Sequence, residues 1–278
     1  MIVTADINHI RAIRWQDPAL TWGLVPTMGY LHEGHLSLVR RALAENDRAL
    51  ATIYVNPTQF APTEDLSTYP RDLERDLALL QETGADVVFT PGDDVMYPAG
   101  FQTYVSVEEV TKVLEGASRP GHFRGVSTIV AKLFNIAQPT RAYFGQKDFQ
   151  QALVLQRMVI DLNFNLEMVI CPIVREPDGL ALSSRNKYLT PEQRQAATLL
   201  QRTLAAAVAA LQDGERDAAH IRQLAADRIT AEPLARLDYF SVAHPDTLIE
   251  LDVVEEKAVL STAVFFGKTR LIDNMLWP

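Results

Sequence analysis

A pair of histidines lies between a predicted strand and a predicted helix. His32 and His35 are three residues apart, with Gly34 between them, and they follow an apolar run at residues 22–25. Side chains three residues apart at the opening of a helix lie on one face, and the N-terminus of a helix attracts anions. The spacing therefore predicts that both imidazoles lie beside the same anion. Gly34 leaves room for a phosphate or a planar ring to approach the backbone.

Two further segments combine small, amide and charged side chains. Residues 141–151 run from an apolar strand into a glycine, a lysine–aspartate pair and paired glutamines. Residues 175–186 place two adjacent hydroxyls directly before an arginine, in the order Ser183-Ser184-Arg185. Small donors let a phosphate approach the backbone, and a guanidinium neutralises its charge. Taken alone, the second segment is more typical of a polar turn between domains, so its interpretation depends on the other two.

The elements that must position these residues alternate along the first 175 residues. Short apolar runs alternate with amphipathic stretches, which indicates βαβ units and a parallel sheet. Ligands of such sheets bind at the carboxyl ends of the strands. Six strands are predicted, at Trp22–Val25, Ala51–Val55, Asp86–Thr90, Thr103–Val107, Arg141–Phe144 and Glu167–Val174. Helices are predicted over residues 36–43 and from Leu73 to a glycine cap at Gly84.

The pattern changes after residue 175. Thr190, Pro191 and Gln193 form a helix start, and the helix is predicted to run to Gly214. A second helix is predicted at residues 216–230, followed by strands at residues 237–242, 257–261 and 263–266. We therefore expect an α/β domain with a parallel sheet at residues 1–175 and a smaller α+β domain at residues 176–278. Pro177, Asp178 and Gly179 predict a hinge in the joining segment, which would let the smaller domain close over a ligand.

Composition excludes several classes of protein. The 26 Lys and Arg residues against 35 Asp and Glu residues give a net charge of −9, which disfavours nucleic-acid binding. The single cysteine, Cys171, excludes an intrachain disulfide and a four-cysteine zinc site, and its apolar surroundings predict a buried, inert thiol. The zinc-protease pattern needs histidines four apart, whereas these are three apart.

No apolar run is long enough to span a membrane, and no basic–apolar leader opens the sequence, so we expect a cytoplasmic protein.

Together these segments are similar to one superfamily. His-x-Gly-His at the first strand–helix turn, with a later Ser-Ser-Arg, resembles the HIGH and KMSKS signatures of the nucleotidyltransferases. Within that superfamily the sequence resembles the pantothenate synthetase (pantoate–β-alanine ligase) family over residues 25–186, with a further similar stretch at residues 269–274. The matching stretches are Pro26–Gly29, Leu31–His35, Val55–Phe60, Tyr69–Arg71, Arg119–Val126, Phe144–Gln151 and Leu182–Asn186.

The resemblance implies a Rossmann-like sheet, homodimers, and ATP-dependent coupling of pantoate to β-alanine through pantoyl adenylate, with release of AMP and pyrophosphate. It implies no tightly bound organic cofactor, and Mg²⁺ arriving with ATP on ligands that the sequence does not show. The implied catalytic residues are His32, His35, Lys147 and Arg185, with His35 as proton donor. The implied ATP site comprises Met28, Gly29, Tyr30, Leu31, His32, Glu33, Gly34, His35, Gly145, Gln146, Lys147, Asp148, Val174, Leu182, Ser183, Ser184 and Arg185. Gln59 and Gln151 are implied to bind pantoate, and Gln59 also to border the β-alanine site.

Four residues depart from the family pattern, and none removes a group that the chemistry needs. Tyr30 stands where the family usually has Ala, and Gln146 stands where it commonly has Glu. Phe149 and Leu182 stand where the family commonly has Tyr and Met. Arg119, Arg124 and Lys132 either add positive potential to the cleft or are surface charges.

Three alternatives remain open at this point. Another adenylyl- or cytidylyltransferase would share the nucleotide signatures but not the segments at residues 56–60 and 119–125. A tRNA synthetase would need an anticodon-binding domain, for which this short acidic chain has no room. A non-catalytic nucleotide sensor would bind ATP without turnover.

Overall fold

The computed structural model describes residues 1–61, 64 and 66–278, which form two compact units. The first unit contains Met1–Gly145 and Gln151–Pro172, and the second contains Gln146–Gln150 and Ile173–Pro278. Residues 146–150 thus group with the second unit by their contacts, although they follow a strand of the first. The predicted domain boundary after residue 175 stays a prediction.

The first unit is built on a six-stranded parallel sheet with the order β1-β4-β3-β2-β5-β6. Its strands are β1 (Ile2–Thr4), β2 (Trp22–Thr27), β3 (Arg48–Ile53), β4 (Val87–Phe89), β5 (Arg141–Gly145) and β6 (Glu167–Cys171). The chain adds strands on one side of β2 and then on the other, so the strand order reverses between β2 and β5. The central strands are buried on both faces, which explains their almost continuous apolar sequences.

Seven α-helices between residues 1 and 172 accompany this sheet in the described part of the chain. They are α1 (Ile7–Trp15), α2 (Glu33–Glu45), α3 (Leu73–Thr83), α4 (Asp93–Met96), α5 (Glu115–Ser118), α6 (His122–Ala137) and α7 (Phe149–Asp161). Helix α3 begins after the Asp72 cap and ends at Gly84, whose φ of 99° is the left-handed conformation that glycine favours. Helix α6 is buried on nearly all sides, because its side chains pack into the main core of the unit.

The predicted strand at Thr103–Val107 is wrong: these residues belong to no strand. Val105 and Val107 are half-buried against the core, and the Val105 N–H donates to the Thr128 hydroxyl of α6 at 3.0 Å. The alternation of apolar residues therefore reflects side-chain packing, and the backbone pairs with no strand in the described part of the chain. The sequence interpretation also missed β1 and the helices α1, α6 and α7.

The second unit contains helices and a three-stranded antiparallel sheet with the order β7-β8-β9. Its elements are α8 (Pro191–Ala196), α9 (Leu199–Gln212), α10 (Ala218–Thr230), β7 (Ala235–Ala243), β8 (Ala258–Phe266) and β9 (Thr269–Trp277). The combination of a parallel-sheet α/β unit and a smaller α+β unit confirms the predicted fold class.

Three details of the second unit differ from expectation. The single helix predicted from Thr190 to Gly214 is interrupted by a turn at residues 197 and 198. Ala197 is fully buried there, and no glycine or proline marks the break, so core packing sets it. The two strands predicted at residues 257–266 form the single strand β8. Strand β9 was not predicted as a strand.

Candidate active site

The turn that follows β2 lies at the topological switch point of the parallel sheet. Strand β2 pairs with β3 on one side and with β5 on the other, in parallel register. Ligands of open α/β sheets bind outside the carboxyl ends of the strands at such a point. Residues 28–32 connect this end of β2 to α2, so the topology places the first predicted segment where a ligand is expected.

The backbone of this turn has two residues with positive φ. Gly29 has a φ of 81° and Tyr30 a φ of 49°. A Cβ on Gly29 would lie 2.9 Å from a carboxylate oxygen of Asp76 and 3.0 Å from the Ile53 methyl. Gly29 is therefore required both by its conformation and by the close approach of Asp76.

Asp76 holds the turn from helix α3. Its carboxylate accepts the Tyr30 N–H at 2.6 Å and the Leu31 N–H at 2.7 Å, and the residue is 1% exposed. Burial raises the pKa of Asp76, although these two N–H donors act in the opposite direction. The neighbouring Arg75 donates to the Leu31 carbonyl at 2.9 Å. The first turn of α3 thus fixes the backbone between β2 and α2.

The sequence interpretation missed Asp76, although a signal was present. Leu73, Leu77 and Leu80 form the apolar stripe of α3, and Asp76 has the helical spacing of the same stripe. An acidic residue on an apolar face needs a buried partner. Such a residue close in sequence to a ligand-binding motif is a reasonable candidate for an anchor.

The histidine pair forms a reciprocal cap at the start of α2. Nδ1 of His32 accepts the Gly34 N–H at 3.2 Å, and Nδ1 of His35 accepts the His32 N–H at 3.3 Å. The two imidazoles thereby replace the hydroxyl and the carboxylate that accept these N–H groups in an ordinary capping box. The ring centroids are 4.1 Å apart, and both residues are half-buried. The structure confirms that the spacing brings the two rings together.

This cap determines which ring nitrogen carries the proton. Because Nδ1 of each ring accepts a backbone hydrogen bond, the neutral form of each ring has its proton on Nε2. Nε2–H is a hydrogen-bond donor. Two such donors at the N-terminus of a helix suit a phosphate, since the helix dipole also favours negative charge there.

Gln59 lies beside this turn in the same unit. It ends a 3₁₀ turn at Pro57–Gln59, is 9% exposed, and donates from Nε2 to the Met28 sulfur at 3.2 Å. Asn56 donates to the Gln59 side-chain oxygen at 3.0 Å and to the Gly125 carbonyl at 3.2 Å. The structure thus brings the predicted pantoate ligand Gln59 together with the predicted ATP ligand Met28.

Helix α6 packs against the backbone of Thr58 and Gln59. A Cβ on Gly125 would lie 2.5 Å from the Thr58 carbonyl oxygen and 2.6 Å from the Gln59 nitrogen, so only glycine allows this approach. The His122 ring contacts the Gln59 carbonyl through Nδ1 at 2.9 Å and Arg119 through Nε2 at 3.1 Å. Because arginine only donates, His122 is neutral with its proton on Nδ1, which donates to Gln59.

His122 is nonetheless a poor candidate for a proton donor near neutral pH. Burial, assisted by the charge of Arg119, lowers the pKa of His122 to about 4. Arg119 makes a two-point ion pair with Glu64, at 2.6 and 2.8 Å. The three side chains therefore support the backbone of Gln59.

The three cations considered in the sequence all have partners in this unit. Arg119 pairs with Glu64, the Arg124 guanidinium lies 3.7 Å above the Tyr104 ring, and the Lys132 ammonium lies 4.6 Å from the Phe101 ring. Burial lowers the pKa of Lys132. These contacts give each cation a partner, and the contribution of the three residues to the potential of the cleft stays a prediction.

Four other predicted residues lie in this unit. Leu31 is buried, Glu33 opens α2 and pairs with Arg40, and Gly145 ends β5. Gln151 is half-buried in the first turn of α7. Its predicted contact with pantoate stays a prediction.

The second unit carries the other predicted ATP ligands on two segments. The first is the 3₁₀ turn at Gln146–Asp148, in which the Lys147 ammonium lies 3.3 Å from the Asp148 carboxylate. Asn274 of β9 donates to the carbonyls of Gln146 and Lys147, at 2.9 and 3.0 Å. The backbone of this turn is thus fixed by the last strand of the chain.

The second segment is a tight hairpin that leads into the serine pair. The Leu182 N–H donates to the Val174 carbonyl at 3.0 Å, and Arg175 bridges Ala181 in antiparallel fashion. Ser183 then caps a short 3₁₀ helix at Ser184–Tyr188, since its hydroxyl accepts the Arg185 N–H at 3.3 Å. The structure thus brings Val174 and Leu182 together, and their predicted contacts with ATP stay predictions.

The Mg²⁺ expected to arrive with ATP stays a prediction. Across residues 1–61, 64 and 66–278, no three His, Cys, Asp or Glu side chains are grouped so as to hold a metal ion. Over the same residues, no helix is long and apolar enough to cross a membrane.

Cys171 is buried, and burial raises the pKa of its thiol, in agreement with the inert thiol predicted from the sequence.

Comparison with known proteins extends over almost the whole chain. Residues 2–276 match the family described as Pantoate-beta-alanine ligase. A pantothenate synthetase of Roseiflexus castenholzii is 59% identical over 276 residues, which cover 99% of each chain. A pantothenate synthetase of Moorella thermoacetica is 57% identical over 274 residues, covering 99% of this chain and 96% of that one.

Solved structures agree with these relatives. Pantothenate synthetase from Thermus thermophilus superposes with a TM-score of 0.94 at 50% identity, covering 99% of both chains. Pantoate-beta-alanine ligase from Francisella tularensis, complexed with beta-gamma ATP and beta-alanine, superposes with a TM-score of 0.81 at 35% identity, covering 99% of this chain and 97% of that one. The sequence match, the shared fold and the histidine-capped turn at the switch point lead to one conclusion: the chain belongs to the pantoate–β-alanine ligase (pantothenate synthetase) family of enzymes.

Proposed function

We propose that this enzyme condenses pantoate with β-alanine at the expense of ATP, by way of pantoyl adenylate. In the first step a pantoate carboxylate oxygen attacks the α-phosphorus of ATP, and the bond to pyrophosphate breaks. In the second step the amine of β-alanine attacks the activated carbonyl, an amide bond forms, and AMP leaves with the carboxylate oxygen. The amine proton is released on amide formation.

The observation that carries this proposal is the cap formed by His32 and His35 at the switch point of the sheet. A carboxylate nucleophile needs no general base, so the first step depends on positioning and on neutralising the phosphate charge. Because both Nδ1 atoms accept backbone N–H groups, the neutral rings carry their protons on Nε2, as hydrogen-bond donors at the N-terminus of α2. In this proposal His35 is the proton donor to the phosphates, and His32 assists it.

The other predicted residues complete the proposed site. Gln59 and Gln151 hold pantoate, because neutral amides suit its hydroxyl groups, and Gln59 borders the β-alanine site. Lys147 reaches the phosphates and Asp148 accepts from the ribose hydroxyls. Val174 meets the adenine through its backbone, while the hydroxyls of Ser183 and Ser184 with the Arg185 guanidinium neutralise the terminal phosphates. The remaining contacts to ATP are assigned to Met28, Gly29, Tyr30, Leu31, Glu33, Gly34, Gly145, Gln146 and Leu182.

The substrates of this proposal find support in a relative. The Francisella enzyme has been crystallised in complex with beta-gamma ATP and beta-alanine. Mg²⁺ would accompany ATP, since it is usually held by phosphates, waters and one or two carboxylates and carries positive charge to the triphosphate. A homodimer and a cytoplasmic location also belong to the proposal, the first by family resemblance and the second because ATP is an intracellular substrate.

The decisive experiment is isotope exchange between pyrophosphate and ATP, with pantoate and Mg²⁺ present and β-alanine absent. Exchange that requires pantoate supports the adenylate half-reaction and its substrate together. Exchange with another acid instead would contradict the substrate, and ATP binding without exchange for any acid would contradict the activity. For variants of His32 or His35 in this assay, His9→Ala is a suitable control, because His9 is an exposed histidine on α1.

The same assay tests the metal. Replacing Mg²⁺ by excess EDTA is expected to abolish exchange, and adding Mg²⁺ back is expected to restore it. Full exchange in EDTA would exclude a metal requirement.

A further inference from the structure

Two adjacent residues of β9, Asp273 and Asn274, hold both predicted ATP-binding segments of the second unit. Each residue is 2% exposed. They pair with Thr262 and Ser261 in the β8–β9 ladder. Because successive side chains of a strand point to opposite faces, neighbouring residues can reach two different segments. The proposed function leaves both residues without a role.

Asn274 fixes the turn at Gln146–Asp148. Its Nδ2 donates to the Gln146 carbonyl at 2.9 Å and to the Lys147 carbonyl at 3.0 Å, and its Oδ1 accepts from Gln146 Nε2 at 3.2 Å. One amide thus satisfies two backbone carbonyls and one side chain. The position of the Lys147 backbone, from which the ammonium extends, is set by Asn274.

Asp273 fixes the hairpin that precedes the serine pair. Its carboxylate makes a two-point ion pair with Arg175, at 2.6 and 2.9 Å. Arg175 also donates to the Gly179 carbonyl at 3.1 Å, which ties the tip of the hairpin to its base. A two-point arginine–carboxylate pair adds geometric specificity to its energy, so the hairpin is fixed in orientation as well as in position.

The two anchors are themselves coupled. The Asn274 N–H donates to Asp273 Oδ1 at 2.8 Å, and this oxygen also accepts from Arg175. The β8–β9 ladder runs through nine registered residue pairs, from Ala258 with Trp277 to Phe266 with Thr269. A shift of either residue along the strand would therefore displace both ATP-binding segments together.

We propose that Asp273 and Asn274 are positioning residues for ATP, which set the turn with Lys147 and the segment with Ser183, Ser184 and Arg185 at a fixed separation. This inference rests on the proposed function for the identity of the ligand. Neither residue touches ATP in the proposal. Their effect is transmitted through backbone groups. A residue that binds a ligand must be held within about half an ångström of its productive position, and supporting hydrogen bonds from other residues hold it there.

The test is Asn274→Ala, with kinetics measured against ATP and pantoate separately. We expect the KM for ATP to rise about 10- to 100-fold, as misplacement of a binding group by about an ångström can cause. We expect the KM for pantoate to change less than about two-fold, because Gln59 and Gln151 lie in the other unit. A merely structural loss would lower the active fraction and hence kcat, while leaving both KM values in place, and would overturn the proposal.

Two further variants keep the test valid if Asn274→Ala folds poorly. Asn274→Ser retains a hydroxyl that can replace one of the two donated bonds, so an intermediate KM for ATP is expected. Ser241→Ala is the control, because Ser241 is 1% exposed in β7 of the same sheet and its hydroxyl has no hydrogen-bond partner among the residues described. An unchanged KM for ATP in a folded Asn274→Ser enzyme, equal to that of the control, would overturn the proposal.

A binding measurement separates this inference from the proposed function. Calorimetric titration with ATP and Mg²⁺, without pantoate, reports affinity whether or not the enzyme turns over. If the unsubstituted enzyme fails in pyrophosphate exchange but Asn274→Ser weakens ATP binding several-fold, the positioning role stands and the reaction is wrong. If Asn274→Ser binds ATP as tightly as the unsubstituted enzyme does, the positioning role is wrong whatever the reaction.

Discussion

The two regions that carry most of the proposed ATP contacts are held in place by different chemistry. The turn at residues 29–31 depends on the carboxylate of Asp76, which accepts two neutral backbone N–H groups and whose pKa burial raises. The hairpin and turn of the second unit depend on Asp273, which faces a guanidinium in two-point geometry, and on the neutral amide of Asn274.

The regions also differ in how far along the chain their anchors lie. Asp76 is 45 and 46 residues from the groups it holds. Asp273 is 98 residues from Arg175, and Asn274 is 127 and 128 residues from the carbonyls it binds. The first region can therefore form once α3 has packed, whereas the second requires the last strand of the chain. Sequence separation, rather than burial, distinguishes the two, since all three anchors are at most 2% exposed.

The largest effect is expected for His35→Gln, which separates capping from catalysis in the first region. A glutamine at this position of the helix can still accept the His32 N–H, but it lacks an imidazole proton. We expect kcat to fall about 10²- to 10⁴-fold, the range typical of a positioned proton donor or charge stabiliser. Steady-state kinetics and thermal melting measure the two effects. Near-normal turnover would contradict the role of His35, and His9→Gln is the matched control.

The next effect concerns the acid sensitivity of the first unit, where His122 is buried. The pKa of His122 is about 4 when folded, because of burial and Arg119, against about 6.5 when unfolded. Between these values the unfolded chain binds the additional proton, so stability falls as the pH falls from about 6.5 to about 4, by about 3 kcal/mol in total. The histidines of the second unit, His220 and His244, are not buried.

Urea unfolding at a series of pH values measures this dependence. His122→Asn is expected to flatten the decline between about pH 6.5 and about pH 4, the window set by the two pKa values, whereas His9→Asn, at an exposed histidine of α1, is expected to leave it unchanged. An equally steep decline in the His122 variant would assign the acid sensitivity to other groups.

A smaller effect is expected when the first anchor is changed. Asp76→Asn keeps the shape of the side chain but turns one acceptor into a donor, so either Tyr30 or Leu31 loses the partner of its N–H. An unpaired buried donor costs about 2 kcal/mol, and we expect the free energy of unfolding to fall by that amount. Denaturant titration measures it. Glu74→Gln, an exposed change in the same helix, should shift it by less than about 0.5 kcal/mol, and a similar shift in both would contradict the anchor.

The smallest effect is expected in the second region, for Arg175→Lys. Lysine retains the charge beside Asp273 but cannot supply two parallel donors in one plane. Loss of one hydrogen bond is expected to lower the free energy of unfolding by about 1 kcal/mol and to raise the KM for ATP. Arg202→Lys, on the exposed side of α9, provides the control. If Arg175→Lys resembles that control in both measurements, the two-point geometry does not matter.

Much of the site was predictable because it depends on residue types at short spacing along the sequence. The three-residue spacing of His32 and His35 and the glycines at residues 29 and 34 lie within one short stretch. The alternation of strands and helices placed this stretch at a strand end. The topology then confirmed the expected position at the carboxyl end of a strand, and it showed that this strand lies at the switch point of the sheet.

Local patterns misled where packing replaced hydrogen bonding. Residues 103–107 alternate as a strand does, yet Val105 and Val107 pack on the core and pair with no strand among the residues described. The alanine-rich stretch after Thr190 has no breaker, yet the helix is interrupted at residues 197 and 198. In both cases the sequence records which side chains are apolar, and the tertiary structure decides what the backbone beneath them does.

By itself the sequence determined the fold class, the family and the residues proposed to meet the substrates, because each depends on residue types at short spacing. Only the tertiary structure identified Asp76, Asp273 and Asn274, and showed that Arg119 and His122 support Gln59. These residues act through single hydrogen bonds and ion pairs to groups 45 to 128 residues away. A periodicity of two or 3.6 residues indicates which face of an element is buried; which distant partner that face meets is decided by how the elements pack.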